Sequence, residues 1–150
     1  MQKSKNAFTM VELVFVIVIL GILAAVAIPK LAATRDDAQI SKGRADISSI
    51  RSAIVTERQS RLILGDSTWI QKLSTGTPGD NLFTGVDVNQ TLLMYGIAAG
   101  KWQRTDDTTY TYSSQGTTLQ FTYTVATGVF NCSTTTGTDA QNALCASLIN

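Results

Sequence analysis

The sequence predicts an α+β fold: one long N-terminal α-helix, its apolar half protruding and its amphipathic half packed on a C-terminal antiparallel β-sheet head. Three patterns carry that expectation. Residues 8–28 are almost unbroken apolar, Ile40, Ile47, Ile50 and Ile54 recur at helical spacing, and Leu119, Phe121, Tyr123 and Val125 alternate with Gln120, Thr122 and Thr124. A chain of 150 residues suits one domain with a sizeable core. The patterns divide it into a short leader, 1–7, an apolar helix, 8–34, and a head, 35–150.

Composition removes several classes of function. Twelve basic residues against 11 acidic ones leave a net charge of +1, so nothing draws the chain toward nucleic acid. There is no histidine, which removes the commonest general base, the commonest zinc ligand and any Ser-His or Cys-His nucleophile pair. Cys132 and Cys145 alone make a poor metal site, because structural zinc takes four ligands. They suit a disulfide if their segment is extracytoplasmic.

The first element is the apolar helix. From Phe8 to Ile28 there are 21 residues, as a helix about 31 Å, one bilayer core. Lys3 and Lys5 precede it, so the positive-inside rule places the leader in the cytoplasm and the head outside. A cleavable signal peptide cut after Ala27, at Ala25-Val26-Ala27, fits the composition and would release a secreted binding domain beginning at Ile28. A permanent single-span anchor fits it too. Neither accounts for Glu12, because a carboxylate deep in a membrane helix costs about 2.5–3.5 kcal/mol or more. A cut between Ala7 and Phe8 does account for it. The new α-amino cation at Phe8 lies one helical turn from Glu12, and paired across copies the acid becomes a registration device between identical helices.

The stretch Ala7, then Phe8-Thr9-Met10-Val11-Glu12, the aliphatic run and Ala27-Ile28-Pro29 resembles the class III signal of type IV pilins and type II secretion pseudopilins. Glu12, Gly21 and Pro29 stand at that family's spacing from the cut; Ala7 stands where the family usually has glycine. The resemblance implies that a prepilin peptidase cuts before Phe8 on the cytoplasmic side, N-methylates Phe8 and leaves the helix in place. It implies a pilin-like fold, a structural role rather than an enzyme, and no cofactor. It also implies polymerisation with other copies through the N-terminal helix, from an inner-membrane precursor with its head in the periplasm to an extracytoplasmic filament. Further implied partners are an assembly ATPase acting through a platform membrane protein and an outer-membrane secretin. A pilus and a short secretion pseudopilus both remain open.

After Pro29 the helix turns amphipathic, and Gly65 is its expected stop, near 85 Å from the start. Gly21 and Pro29 make its soft stretch: glycine has poor helix propensity, and proline leaves the Ala25 carbonyl without its usual donor. In the resembled family this stretch can unwind during assembly; an ordinary membrane kink is the plainer account.

In the head, Trp69–Leu73 is expected as a short helix, Ser74–Asn81 with Thr77-Pro78-Gly79-Asp80 as turns, and Leu92–Tyr95 as a short strand. Thr108–Ser113, a turn at Ser114-Gln115-Gly116, the strand through Leu119–Val125, a turn at Thr127-Gly128 and Val129–Cys132 form a meander with one apolar face. The pilin resemblance implies a disulfide between Cys132 and Cys145, closing a polar loop, Ser133–Leu144, that apolar burial cannot hold. Some pseudopilins carry calcium there instead, but Asp139 is the one carboxylate between the cysteines, so no metal is expected. Gly65-Asp66-Ser67 resembles an esterase block without a histidine; Asp106-Asp107 reads as solvated surface, and Arg51, Arg58 and Arg61 as a solvated helix face.

Overall fold

The computed structural model describes residues 8–75, 81–85, 92–133 and 136–150, with the backbone alone at 32 and 33. Ala7 and the expected turn Thr77-Pro78-Gly79-Asp80 lie outside the described residues. Helix α1 runs Met10–Ile63 and is assigned without a break through Gly21 and Pro29. The chain divides into two units, one ending at Asp37 and one beginning at Ala38.

In the first unit the helix buries almost nothing: every large apolar side chain from Phe8 to Leu31 is exposed. Its most apolar window has a mean hydropathy of 3.0 and is 0% buried, so by length and composition it is fit to cross a membrane.

The second unit has one core. Ile47, Ile50 and Ile54 are buried on α1, with Ile40 half-buried behind them, as the spacing predicts. They face a four-stranded antiparallel sheet ordered β1-β2-β3-β4, with β1 at Trp102–Arg104, β2 at Thr109–Ser114, β3 at Thr117–Thr124 and β4 at Val129–Cys132. The register sets Tyr112 against Leu119, Tyr110 against Phe121 and Tyr123 against Phe130, and all six side chains point inward. Each fully buried side chain of this size stabilises by about 1.5–3 kcal/mol. Phe83 stacks on Tyr110 at 4.5 Å between centroids, and Phe121 on Phe130 at 5.3 Å, so the centre is aromatic. Between β2 and β3, Gln115 (φ 53°) and Gly116 (φ 73°) both lie in the left-handed region that a two-residue hairpin turn requires.

Three expectations for the head are corrected. Trp69–Leu73 is not a helix: it is irregular chain that buries Ile70 and Leu73, and the Ile70 carbonyl accepts the Tyr123 hydroxyl at 2.9 Å. Leu92–Tyr95 is not a strand: its amides at Leu92 and Leu93 donate to Thr84 and Phe83, and the turn closes at Gly96, leaving Met94 and Tyr95 exposed. The segment after Cys132 is not merely a polar loop. Helix α2 spans Asp139–Ile149 and buries Leu144, Cys145 and Leu148. A capping box starts it: Thr138 caps the Gln141 amide, and the Gln141 side chain accepts from the Thr138 amide at 2.9 Å.

Candidate functional site

The site begins at the helix start. Phe8 precedes α1 and is exposed. The Thr9 amide donates to Glu12 Oε2 at 2.8 Å, the Thr9 hydroxyl donates to the same oxygen at 2.9 Å, and the Glu12 amide donates to Thr9 Oγ1 at 3.2 Å. This is a second capping box, and it gives Glu12 partners inside its own chain before any cut is made. The signal was present in the letters, Thr-x-x-Glu opening an apolar run, and reasoning from charge alone passed over it. Farther along, a Cβ at Gly21 would meet nothing within 4 Å, so nothing among the described residues demands glycine there.

Cys132 and Cys145 are joined in a disulfide with Cα atoms 6.0 Å apart, tying the end of β4 to the middle of α2. Helix α2 is held by more than that bond. Gln141 Nε2 donates to the Thr118 carbonyl at 2.9 Å, and Arg44 Nε donates to the Ser147 carbonyl. Gly43 lets α1 pass close by: a Cβ there would stand 2.8 Å from both Leu148 Cδ2 and the Tyr112 hydroxyl.

The candidates for chemistry resolve into structural roles. Gly65 (φ 85°) ends α1 in a Schellman motif, with Gly65 donating to Leu62 and Asp66 to Arg61. Asp106 accepts from the Thr108 and Thr109 amides at 2.8 and 2.7 Å, which holds its carboxyl below the ordinary range. Asp107 is held low by Lys72, at 2.9 Å, and by Arg104. Two carboxylates that both stay ionised do not form an acid–base pair, in which one member is raised. Arg61 pairs with Glu57 and Asp66, Arg58 stacks on Trp69 at 5.0 Å, and Arg51 donates to Phe130 O and Asn131 Oδ1. Among the described residues no group of three or more His, Cys, Asp or Glu stands close enough to hold a metal ion. Asp46 is raised by burial, partly offset by the Trp102 indole that donates to it at 3.1 Å.

A long helix, bare and apolar at its start and packed on an antiparallel sheet farther on, is an α+β architecture of the pilin kind. Residues 2–28 match the family model of the prokaryotic N-terminal methylation motif. Over 53 residues, 35% of the chain, it is 36% identical to type II secretion system core protein G of Pseudomonas aeruginosa. Over the same share it is 40% identical to core protein G of Klebsiella michiganensis. A fimbrial protein of Pseudomonas aeruginosa is 27% identical over 106 residues, 71% of the chain. The chain spans 37% of the length of the two secretion proteins and 63% of the fimbrial one. These relatives are named for a secretion system and a fimbria, not for a catalytic activity. No solved structure matches the chain.

Proposed function

We propose that this chain is a structural subunit of a type IV pilus-like filament, made as an inner-membrane precursor and polymerised through α1. The observation that carries the proposal is the first unit of α1: a window of mean hydropathy 3.0 with 0% burial needs lipid or other copies around it. The methylation motif over residues 2–28 supports processing at the same end. In this proposal a prepilin peptidase cuts between Ala7 and Phe8 and N-methylates Phe8. The head lies in the periplasm, and a cytoplasmic ATPase, a platform protein and a secretin serve assembly. Glu12 then exchanges its Thr9 contacts for, or shares them with, a Phe8 amine in the filament. Gly21 and Pro29 are the places where α1 yields during that transfer.

The mass of the mature chain tests the processing step. It begins at N-methylated Phe8 in this proposal, at Ile28 if an ordinary signal peptide is removed, and at Met1 if the helix is a permanent anchor. Imaging the sheared extracytoplasmic fraction for fibres of the same mass tests polymerisation.

The identity with two core G proteins favours a second version, a secretion pseudopilus. Loss of the chain then abolishes export of secreted proteins without removing surface fibres, whereas loss of a pilus subunit removes the fibres and spares export.

A further inference from the structure

Where α1 meets α2 in the head there is a hollow of about 320 Å³, lined by Arg44, Ile47, Ser48, Arg51 and Ser52 of α1 and by Leu148 of α2. All of these residues belong to the second unit. The four polar ones follow one another at intervals of 4, 3 and 1 residues, which places them along one side of the helix. Ile47 and Leu148 are buried and give the hollow an apolar floor. Arg44, Ser48 and Ser52 are exposed, and Arg51 is half-buried.

Both arginines are fixed by neutral acceptors. Arg44 Nε donates to the Ser147 carbonyl. Arg51 donates through Nε to the Phe130 carbonyl and through Nη2 to Asn131 Oδ1, both at 3.1 Å. Among the described residues neither arginine belongs to an ion pair. The two acids that α1 carries in this unit are engaged elsewhere: Asp46 accepts from the Trp102 indole, and Glu57 pairs with Arg61. The guanidiniums are thus oriented without their charge being cancelled. Among the described residues the terminal nitrogens of Arg44 and Nη1 of Arg51 have no protein acceptor. The donors already used suffice to fasten α2 and β4, so the remaining ones are left for a ligand.

Two guanidiniums beside one hollow match a doubly charged anion. A phosphate monoester carries about −1.5 to −2 at pH 7 and three strong acceptor oxygens. Guanidinium forks bind such oxygens in pairs, and the hydroxyls of Ser48 and Ser52 add two donors. The volume is in the range of small-molecule sites, so an organic group fits beside the phosphate. We propose that this hollow binds an organic phosphate monoester, with the phosphate held by Arg44 and Arg51 and the organic part laid on Ile47 and Leu148. The site needs only the head and stands whether or not the chain forms a filament.

Calorimetric titration of the full chain in an uncharged detergent tests it. Phenyl phosphate is expected to bind more tightly than inorganic phosphate, which leaves the apolar floor uncovered, and than succinate, whose two charges sit on separate groups. Arg44→Gln is expected to lower the affinity for phenyl phosphate about tenfold or more. Ser48→Glu, which sets a carboxylate in the hollow at an exposed position, is expected to abolish binding with an unchanged melting temperature. Lys101→Gln, the same change of charge at an exposed residue outside the hollow, is expected to bind as wild type does. Dihexanoyl phosphatidic acid in the same micelles offers the monoester on a lipid. Binding of that lipid alone makes a membrane headgroup the source, and binding of phenyl phosphate assigns a soluble ester; either upholds the site. It is overturned if neither binds, if inorganic phosphate or succinate binds as tightly as phenyl phosphate, or if Ser48→Glu binds like wild type. Equal losses in Arg44→Gln and Lys101→Gln overturn it as well, since they would reduce the binding to net charge.

Discussion

Glu12 has Thr9 as its partner in the structure and the Phe8 amine as its partner in the proposed filament, and the two answer different questions. Thr9 explains how a carboxylate is carried in an apolar segment before processing: the capping box supplies an amide and a hydroxyl at 2.8 and 2.9 Å. In the proposed filament, a Phe8 amine created by the proposed cut is the reason to carry an acid where a Thr9 cap alone would start the helix. Glu12→Ala is therefore expected to insert and to be cut before Phe8 at the normal rate, with a helix start weaker by about 1 kcal/mol. Its filament yield is expected to fall at least tenfold. Cleavage and fibre yield are scored on one sample, and normal fibres from this variant would reduce Glu12 to a cap. Within the head, Tyr123 is expected to set the alkaline limit. Its hydroxyl donates to the Ile70 carbonyl, and burial pushes its pKa from 10.0 up to about 12. A phenol raised on folding contributes stability that is whole below the unfolded value and is lost as pH rises through the folded one. Melting temperature is expected to hold up to pH 10 and fall between pH 10 and 12. Tyr123→Phe is expected to melt lower at neutral pH, for the lost hydrogen bond, and to show a shallower alkaline fall; an unchanged slope assigns the alkaline fall to Tyr110 and Tyr112, which burial also raises.

Among the elements, α2 depends most on its staples. It has 11 residues, too few to be stable alone in water, and it holds to the sheet through Leu144, Leu148 and the Cys132–Cys145 bond. Replacing either cysteine with serine is expected to cost about 2–4 kcal/mol, since the bond closes a loop of about 14 residues. Leu148→Ala is expected to cost about 2–5 kcal/mol through the cavity it leaves. Denaturant titration of the exported protein measures both, and a cysteine variant as stable as the parent would mean that packing alone holds α2. This helix was legible in principle from Thr138-x-x-Gln141 and from Leu144 and Leu148 four residues apart. The Ser, Thr and Gly preceding it hid the pattern. By contrast, the isoleucine stripe and the alternation in β3 were read correctly, because each is a local period repeated several times against one surface. Segments 69–73 and 92–95 hold apolar residues at no sustained period. Their shape is set by distant partners, the Tyr123 hydroxyl and the backbone around Phe83, itself buried at a φ of 61°, and such partners leave no mark in the local letters. At the helix start the methylation motif was legible; the Thr9–Glu12 cap stood in the same letters and was passed over.

Across the whole molecule, cohesion is divided unevenly between the two units. Among the described residues no member of the buried core precedes Ile47, and Ile40 is the first side chain packed against it. The sheet, α2 and the disulfide also lie wholly beyond Ala38. The head therefore draws its stability from its own residues, while the helix before it is left to an environment that the chain does not supply. Removing residues 1–34 is expected to give a chain, 35–150, that is soluble without detergent, monomeric and disulfide-bonded. The remaining stretch of α1 keeps Ile47, Ile50 and Ile54 on the sheet, so the melting temperature is expected to match that of the detergent-solubilised parent within a few degrees. Light scattering and thermal denaturation on the truncated chain decide the matter. A truncated head that unfolds or aggregates at neutral pH would show that the apolar helix stabilises the head as well as anchoring it.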